Sequence, residues 1–175
     1  MNDFFTLLSP ELVVTAGALI ALLLGCSSRE GPSGATRVVA LLAVFAAFLI
    51  TWYNGPGDKV VELHGMRFGP LAYYVRLIAL TVAAPVLLVH WHLPRADERG
   101  DMFAMILFSL AGILLTGLAD DLVLLFLAVE MVSVPGYILV SISRGDVRAQ
   151  EAGLKYFFLG ALSAALLVYG FSFLY

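Results

Sequence analysis

The sequence predicts an all-α fold, a polytopic transmembrane bundle of six membrane helices, and three observations carry that prediction. The 175 residues are 61% hydrophobic and 13% charged, where soluble domains carry about 25% charged residues. Six mostly apolar stretches approach the length of about 20 residues that crosses roughly 30 Å of hydrocarbon. The connections between them are short, polar and rich in Gly, Pro, Ser and Asn. The apolar excess also excludes disorder. A net charge of −3 offers no electrostatic footprint for nucleic acid. The single cysteine, Cys26, closes no disulfide within the chain and cannot furnish a four-thiolate iron–sulfur site.

The first span covers 10–26. Ser9, Pro10 and Glu11 read as its N-cap, first-turn proline and dipole-favoured acid. Leu23-Leu24-Gly25-Cys26 has a faint likeness to a lipoprotein cleavage box. Asp3 is the only charge before Ser9, however, so the basic start of a cleaved signal is missing and the span is expected to be retained. Further spans are predicted at 37–53, 70–91, 102–118, 121–142 and 149–175, all in one transmembrane domain, 1–175. Ala119 and Asp120 alone separate the fourth and fifth, which makes those two antiparallel neighbours. The glycines Gly112, Gly117, Gly136, Gly153, Gly160 and Gly170 suit close helix packing.

Orientation follows from basic residues, which are retained on the cytoplasmic side. Loops one, three and five hold Arg29, Arg37, Arg95, Arg99, Arg144 and Arg148; the other side holds Lys59 and Arg67. This bias places loops one, three and five in the cytoplasm and both termini outside, in a multi-pass protein of the cell inner (plasma) membrane. Trp52, Tyr53 and Trp91 fall at span ends, where amphipathic rings favour the headgroup layer.

An ionisable group inside hydrocarbon is costly and marks a functional candidate. Glu130 lies mid-span with no polar neighbour before Ser133, so it holds a proton or faces a cation. Pro135, five residues on, deprives the Met131 carbonyl of its helical donor. That carbonyl and the carboxyl group together can hold a water chain; the competing reading is a neutral hydrogen bond that staples two helices. Lys155 lies roughly 9 Å inside its helix and Glu130 about 18 Å from the same side. A water-linked relay and simple snorkelling of Lys155 both fit this depth. Glu151 stands one turn before Lys155 at ion-pair spacing. Arg76, beside Tyr73 and Tyr74, is expected to snorkel outward. Asp120 and Asp121 cap the fifth span. His90 and His92 fall on different helix faces and read as interfacial rather than as a metal pair; His64 has no evident partner.

No glycine-rich phosphate loop, hydrolytic triad or metal motif occurs, so no catalytic, cofactor-binding or metal site is expected in this chain. With those residues in view, the sequence resembles the antiporter-like membrane subunits N of the proton-pumping NADH–quinone oxidoreductase, respiratory complex I. The likeness rests on Leu124, Phe126-Leu127-Ala128-Val129-Glu130-Met131-Val132-Ser133-Val134-Pro135 and Tyr137-Ile138-Leu139-Val140. It continues through Arg148-Ala149-Gln150-Glu151-Ala152-Gly153-Leu154-Lys155-Tyr156-Phe157 and Leu159-Gly160-Ala161. It implies that Glu130 and Lys155 are proton-translocation residues; Glu151 and Pro135 are the supporting candidates that the spacing and proline chemistry above suggest. It further implies a host complex that carries NADH, FMN, iron–sulfur clusters and quinone on other subunits. Family members continue past this length with a further lysine-bearing helix. The chain therefore corresponds to an N-terminal part, truncated relative to the family, or is completed by a second chain supplying the C-terminal helices. The alternatives are a component of a multisubunit cation/proton antiporter and a membrane scaffold or assembly subunit without a transport role. The expected partners are other complex I membrane subunits and the lipid bilayer.

The orientation is checked by labelling. With Cys26 replaced, Ser143→Cys is expected to stay unreacted with an impermeant thiol reagent outside intact cells, and Asn54→Cys to react. The reverse pattern overturns it.

Overall fold

The computed structural model describes residues 2–27, 34–56, 60–91, 101–143 and 146–174. Seven helices and one hairpin occupy them: α1 (Asn2–Leu7), α2 (Ser9–Ser27), α3 (Gly34–Asn54), β1 (Val61–Leu63), β2 (Met66–Phe68), α4 (Pro70–Trp91), α5 (Asp101–Thr116), α6 (Leu122–Ile142) and α7 (Val147–Phe171). Five of these (α2, α3, α4, α6 and α7) are long and apolar enough to cross a membrane. The expectation of six spans is therefore met by five, with α5 an apolar helix of 16 residues. The difference arises where α5 ends. After a last α-type bond from Gly117 N–H to Ile113 O the chain tightens, with Leu118 N–H on Leu115 O and Ala119 N–H on Thr116 O, and the Leu118 carbonyl then accepts from Arg67 N–H at 2.8 Å.

The shortest long helix is also the most central. α5 contributes Phe103, Ala104, Leu107, Leu110, Ala111 and Leu114 to a core shared with α2, α3 and α4. Small residues make this possible, because helices in lipid gain from close van der Waals approach rather than from hiding apolar surface from water. Ala18 and Ala21 of α2 share this core with Ala40 and Ala47 of α3. A side chain at Gly17 would collide with Ala43. Gly112 lets α5 touch the α6 backbone: an added Cβ would lie 2.8 Å from Val132 N and 2.9 Å from Ala128 O. Gly117, Gly153 and Gly160 are equally confined, whereas Gly136 and Gly170 have nothing within 4 Å, so close packing explains four of those six glycines. Beyond α6 the packing thins; the buried residues of α7 are Ala149 and Gly153.

Two local features depart from the sequence reading. Ser9 is not an N-cap: α1 runs almost directly into α2, with Leu8 N–H bonded to Phe4 O and Leu12 N–H to Leu8 O. Pro10 has no N–H for the Thr6 carbonyl, and the Ser9 hydroxyl donates to that carbonyl instead, at 2.7 Å. The connection 54–69, read as a loop, contains a hairpin pairing Val61 with Phe68, Glu62 with Arg67 and Leu63 with Met66. Its two-residue turn, His64 (φ 53°) and Gly65 (φ 74°), is left-handed at both positions, as the twist of a tight hairpin demands. Met66 bridges Ala119, and Asp120 N–H reaches Gly65 O at 2.9 Å, which ties the hairpin to the α5–α6 corner.

Gly112→Ala is expected to force α5 and α6 apart, at about 1–3 kcal/mol, and to lower the thermal midpoint in detergent. Gly170→Ala, with open space around it, is the control and should melt like the parent.

Candidate functional site

Glu130 sits near the middle of α6, half-buried. Asp121 starts the helix, its carboxylate accepting from Val123 N–H at 3.3 Å. Asp120 instead pairs with Arg67 at 3.4 Å. The Glu62 hydrogen bond, reinforced by the Asp120 charge, pushes the Arg67 guanidinium above its ordinary value. One face of α6 is gripped by α5, through Gly112 against Ala128 and Val132. On an α-helix Glu130 lies about 160–200° from both of those residues, so it projects away from α5. Among the described residues nothing forms a hydrogen bond or ion pair with it.

The α6 face nearest Glu130 is turned to α7. Tyr137, buried, meets Tyr156 edge-on at 4.8 Å between ring centroids and Phe157 at 5.9 Å. Its hydroxyl occupies the space a Gly160 side chain would need. Ser141 packs the same way on Gly153. Two clefts open along this seam. One of about 230 Å³ is lined by Tyr137, Ser141 and Gly153. The other, about 550 Å³, is lined by Phe126, Ala164 and Tyr169.

Lys155 does not join Glu130. It pairs with Glu151, one turn earlier, with 2.6 Å between Nζ and Oε1, and the two side chains are 72% and 60% exposed. Two residues beyond Gly153, Lys155 is about 200° around α7 from the α6 contact and faces outward. Pro135 is buried inside an unbroken α6. The hydroxyls near it serve other carbonyls: Ser109 of α5 donates to Val132 O at 3.4 Å and Ser133 to Val129 O at 2.9 Å.

Arg76 corrects the sequence reading outright. It does not snorkel; its side chain is 10% exposed and clamps Glu11 of α2, itself 3% exposed. Nε bonds Oε1 at 2.7 Å and Nη2 bonds Oε2 at 2.9 Å. Nη2 also takes the Leu7 carbonyl at 2.9 Å, and the guanidinium lies 5.8 Å from the Phe68 ring centre. The sequence places Glu11 and Arg76 near the same end of their spans, but it does not pair them: other charges fall on that side as well. Of the histidines, His64 meets Phe4 edge-on at 5.5 Å. His90 Nδ1 lies 2.7 Å from Val86 O, and His92 falls outside the described residues. Among the described residues no three His, Cys, Asp or Glu side chains converge as a metal site.

Residues 119–175, which contain α6 and α7, match the family model described as NADH:quinone oxidoreductase/Mrp antiporter, TM. Beyond that stretch the similarity extends over nearly the whole chain. NADH-quinone oxidoreductase subunit N of Methylobacterium nodulans is 34% identical over 169 residues, 95% of this chain and 35% of that protein. The Myxococcus xanthus subunit N is 34% identical over 180 residues, 100% of this chain and 34% of the relative. The chain is similar to subunit N. It spans about a third of the length of these relatives. A solved structure of respiratory complex I from Thermus thermophilus with bound aureothin superposes with a TM-score of 0.74 at 25% identity, over 92% of this chain and 35% of the matched one.

Removing one partner of the buried pair strands the other charge. Arg76→Ala is expected to cost about 3–5 kcal/mol, read as a lower unfolding midpoint in detergent. The Glu11→Ala/Arg76→Ala double variant should lose less than the sum of the two single variants.

Proposed function

We propose that this chain forms part of the antiporter-like membrane subunit of a proton-translocating NADH–quinone oxidoreductase, and that Glu130 handles the protons. One observation carries the reading: a half-buried carboxyl in the middle of a span, with no partner for it among the described residues. An ionisable group left in that position is expensive unless it is used. The similarity to subunit N along the chain supports the assignment to that complex. Electron transfer then belongs to other subunits, and this chain moves protons only.

In this reading Lys155 acts from the exposed side of α7. Its ion pair with Glu151 faces further helices rather than lipid, supplied by more of the same subunit or by a second chain, and Pro135 holds the turn after Glu130. α5, about 24 Å long by its residue count, is the sixth crossing, shortened because the hairpin covers its end. The arginine-rich side of the bundle then faces the cytoplasm and the hairpin lies outside. A second reading, a piece of a multisubunit cation/proton antiporter, draws on the description of the matching family, which names both systems.

The test is substitution in the assembled host complex. Glu130→Gln keeps shape and hydrogen bonding but not the titrating proton, so assembly should be normal and proton pumping lost. Glu130→Asp should retain more pumping, and Lys155→Ala should lose less than Glu130→Gln. If Glu130 only staples helices, the order reverses, with Gln harmless and Asp disruptive. Sodium dependence of uptake, in place of quinone-linked turnover, would favour the antiporter.

A further inference from the structure

We propose that Tyr137 is a proton-conducting residue on the α6–α7 seam, passing protons between the Ser141 cleft and Glu130. The inference rests on the proton-handling role of Glu130 argued above. Glu130, Tyr137 and Ser141 follow one another at intervals of seven and four residues. On a helix of 3.6 residues per turn these three lie within about 40° of one another, on one stripe. The contacts of Tyr137 with Gly160 and of Ser141 with Gly153 fix that stripe against α7.

The tyrosine is directed along the stripe. Helical side chains lean toward the N-terminus of their helix, and for α6 that is the direction of Glu130. The opposing helix measures the reach. Gly153 is level with Ser141, and α7 runs antiparallel, so Gly160 stands level with position 134 of α6. The hydroxyl seated on Gly160 is thus about one turn, roughly 6 Å, from the Glu130 backbone level, and further from the carboxyl group, which leans the same way; water has to bridge that gap. At its other end the same side chain lines the cleft of about 230 Å³ shared with Ser141. That space exceeds the roughly 30 Å³ share of one water several times over; its lining is mostly apolar, and the hydroxyls of Tyr137 and Ser141 are the side-chain groups in it that could hold water.

A phenylalanine would fill the ring site equally well against Tyr156 and Phe157. The hydroxyl is what the site adds; among the described residues it has no hydrogen-bond partner, and its oxygen stays accessible from the seam. Gly160 makes room for it. A phenol both donates and accepts. Its oxygen takes a proton from water in the cleft as its own proton passes toward the Glu130 carboxylate. At the phenol oxygen one O–H bond forms and one breaks; the carboxylate gains an O–H, the water that gave its proton regains one from the aqueous side, and no electron moves.

The host complex in sealed vesicles tests this, with NADH–quinone turnover under uncoupler and proton uptake measured side by side. Tyr137→Phe is expected to assemble and keep its uncoupled turnover, while losing pumping to the extent that Glu130→Gln does. Gly160→Ala, which retains the hydroxyl but drives it off its seat, should show the same split. The Tyr137→Phe/Gly160→Ala double variant, with the crowding relieved, should remain defective. Normal pumping in Tyr137→Phe alongside a defective Glu130→Gln overturns the role of Tyr137 and leaves that of Glu130 standing. Normal pumping in both overturns the underlying reading as well. Should Tyr137→Phe fail to assemble, Gly160→Ala decides: lost pumping supports the role, and normal pumping overturns it.

Discussion

An arginine that enters the membrane interior has to bring its counter-charge with it, and the Arg76–Glu11 pair organises one end of this molecule around that requirement. The bidentate contact fixes α4 against α2. The further bond to the Leu7 carbonyl holds the junction where α1 meets α2. Phe68, under the guanidinium, is buried with Ala72 and Leu118, and Phe4, Leu7 and Leu8 pack against them. One guanidinium therefore joins the start of the chain, the hairpin and two membrane helices. Isolated, either charge would carry a desolvation penalty that its partner and the extra carbonyl offset.

Away from that end the bundle is held by shape. α5 shares its core with α2, α3 and α4, Gly112 places its backbone against α6, and Gly117, just past its end, lies against Val75 of α4. Such contacts depend on fit, so a single added methyl matters more here than a change of polarity. The consequence for Glu130 is rigidity: α5 grips one side of its helix turn, and the carboxyl is presented on the other.

That other side is loosely built. α7 buries little of its surface, carries Lys155 and Glu151 outward, and leaves two clefts along its seam with α6. A carboxyl without a partner among the described residues, on a tightly held helix and next to an open seam, is the arrangement on which the proposed proton handling rests. Tyr137 and Gly160 meet on that seam, with the hydroxyl in the space a side chain at 160 would fill.

The sequence by itself determined that the chain is helical and membrane-spanning, because hydropathy and span length answer directly to the thickness of hydrocarbon. It singled out Glu130, since a lone charge in an apolar run is visible without coordinates. The tight hairpin was half visible in the alternation of Val61, Leu63, Met66 and Phe68 around Gly65. Partnership was not legible. Nothing local distinguishes an Arg76 that snorkels from one that finds Glu11 across 65 residues, or tells a Ser9 that caps a helix from one that replaces a missing proline donor. The same holds for Lys155 and Tyr137, whose facing depends on how α7 is rotated against α6. Only the tertiary structure decided these, because the choice between lipid, water and a counter-charge is made by helix faces brought together from distant parts of the chain.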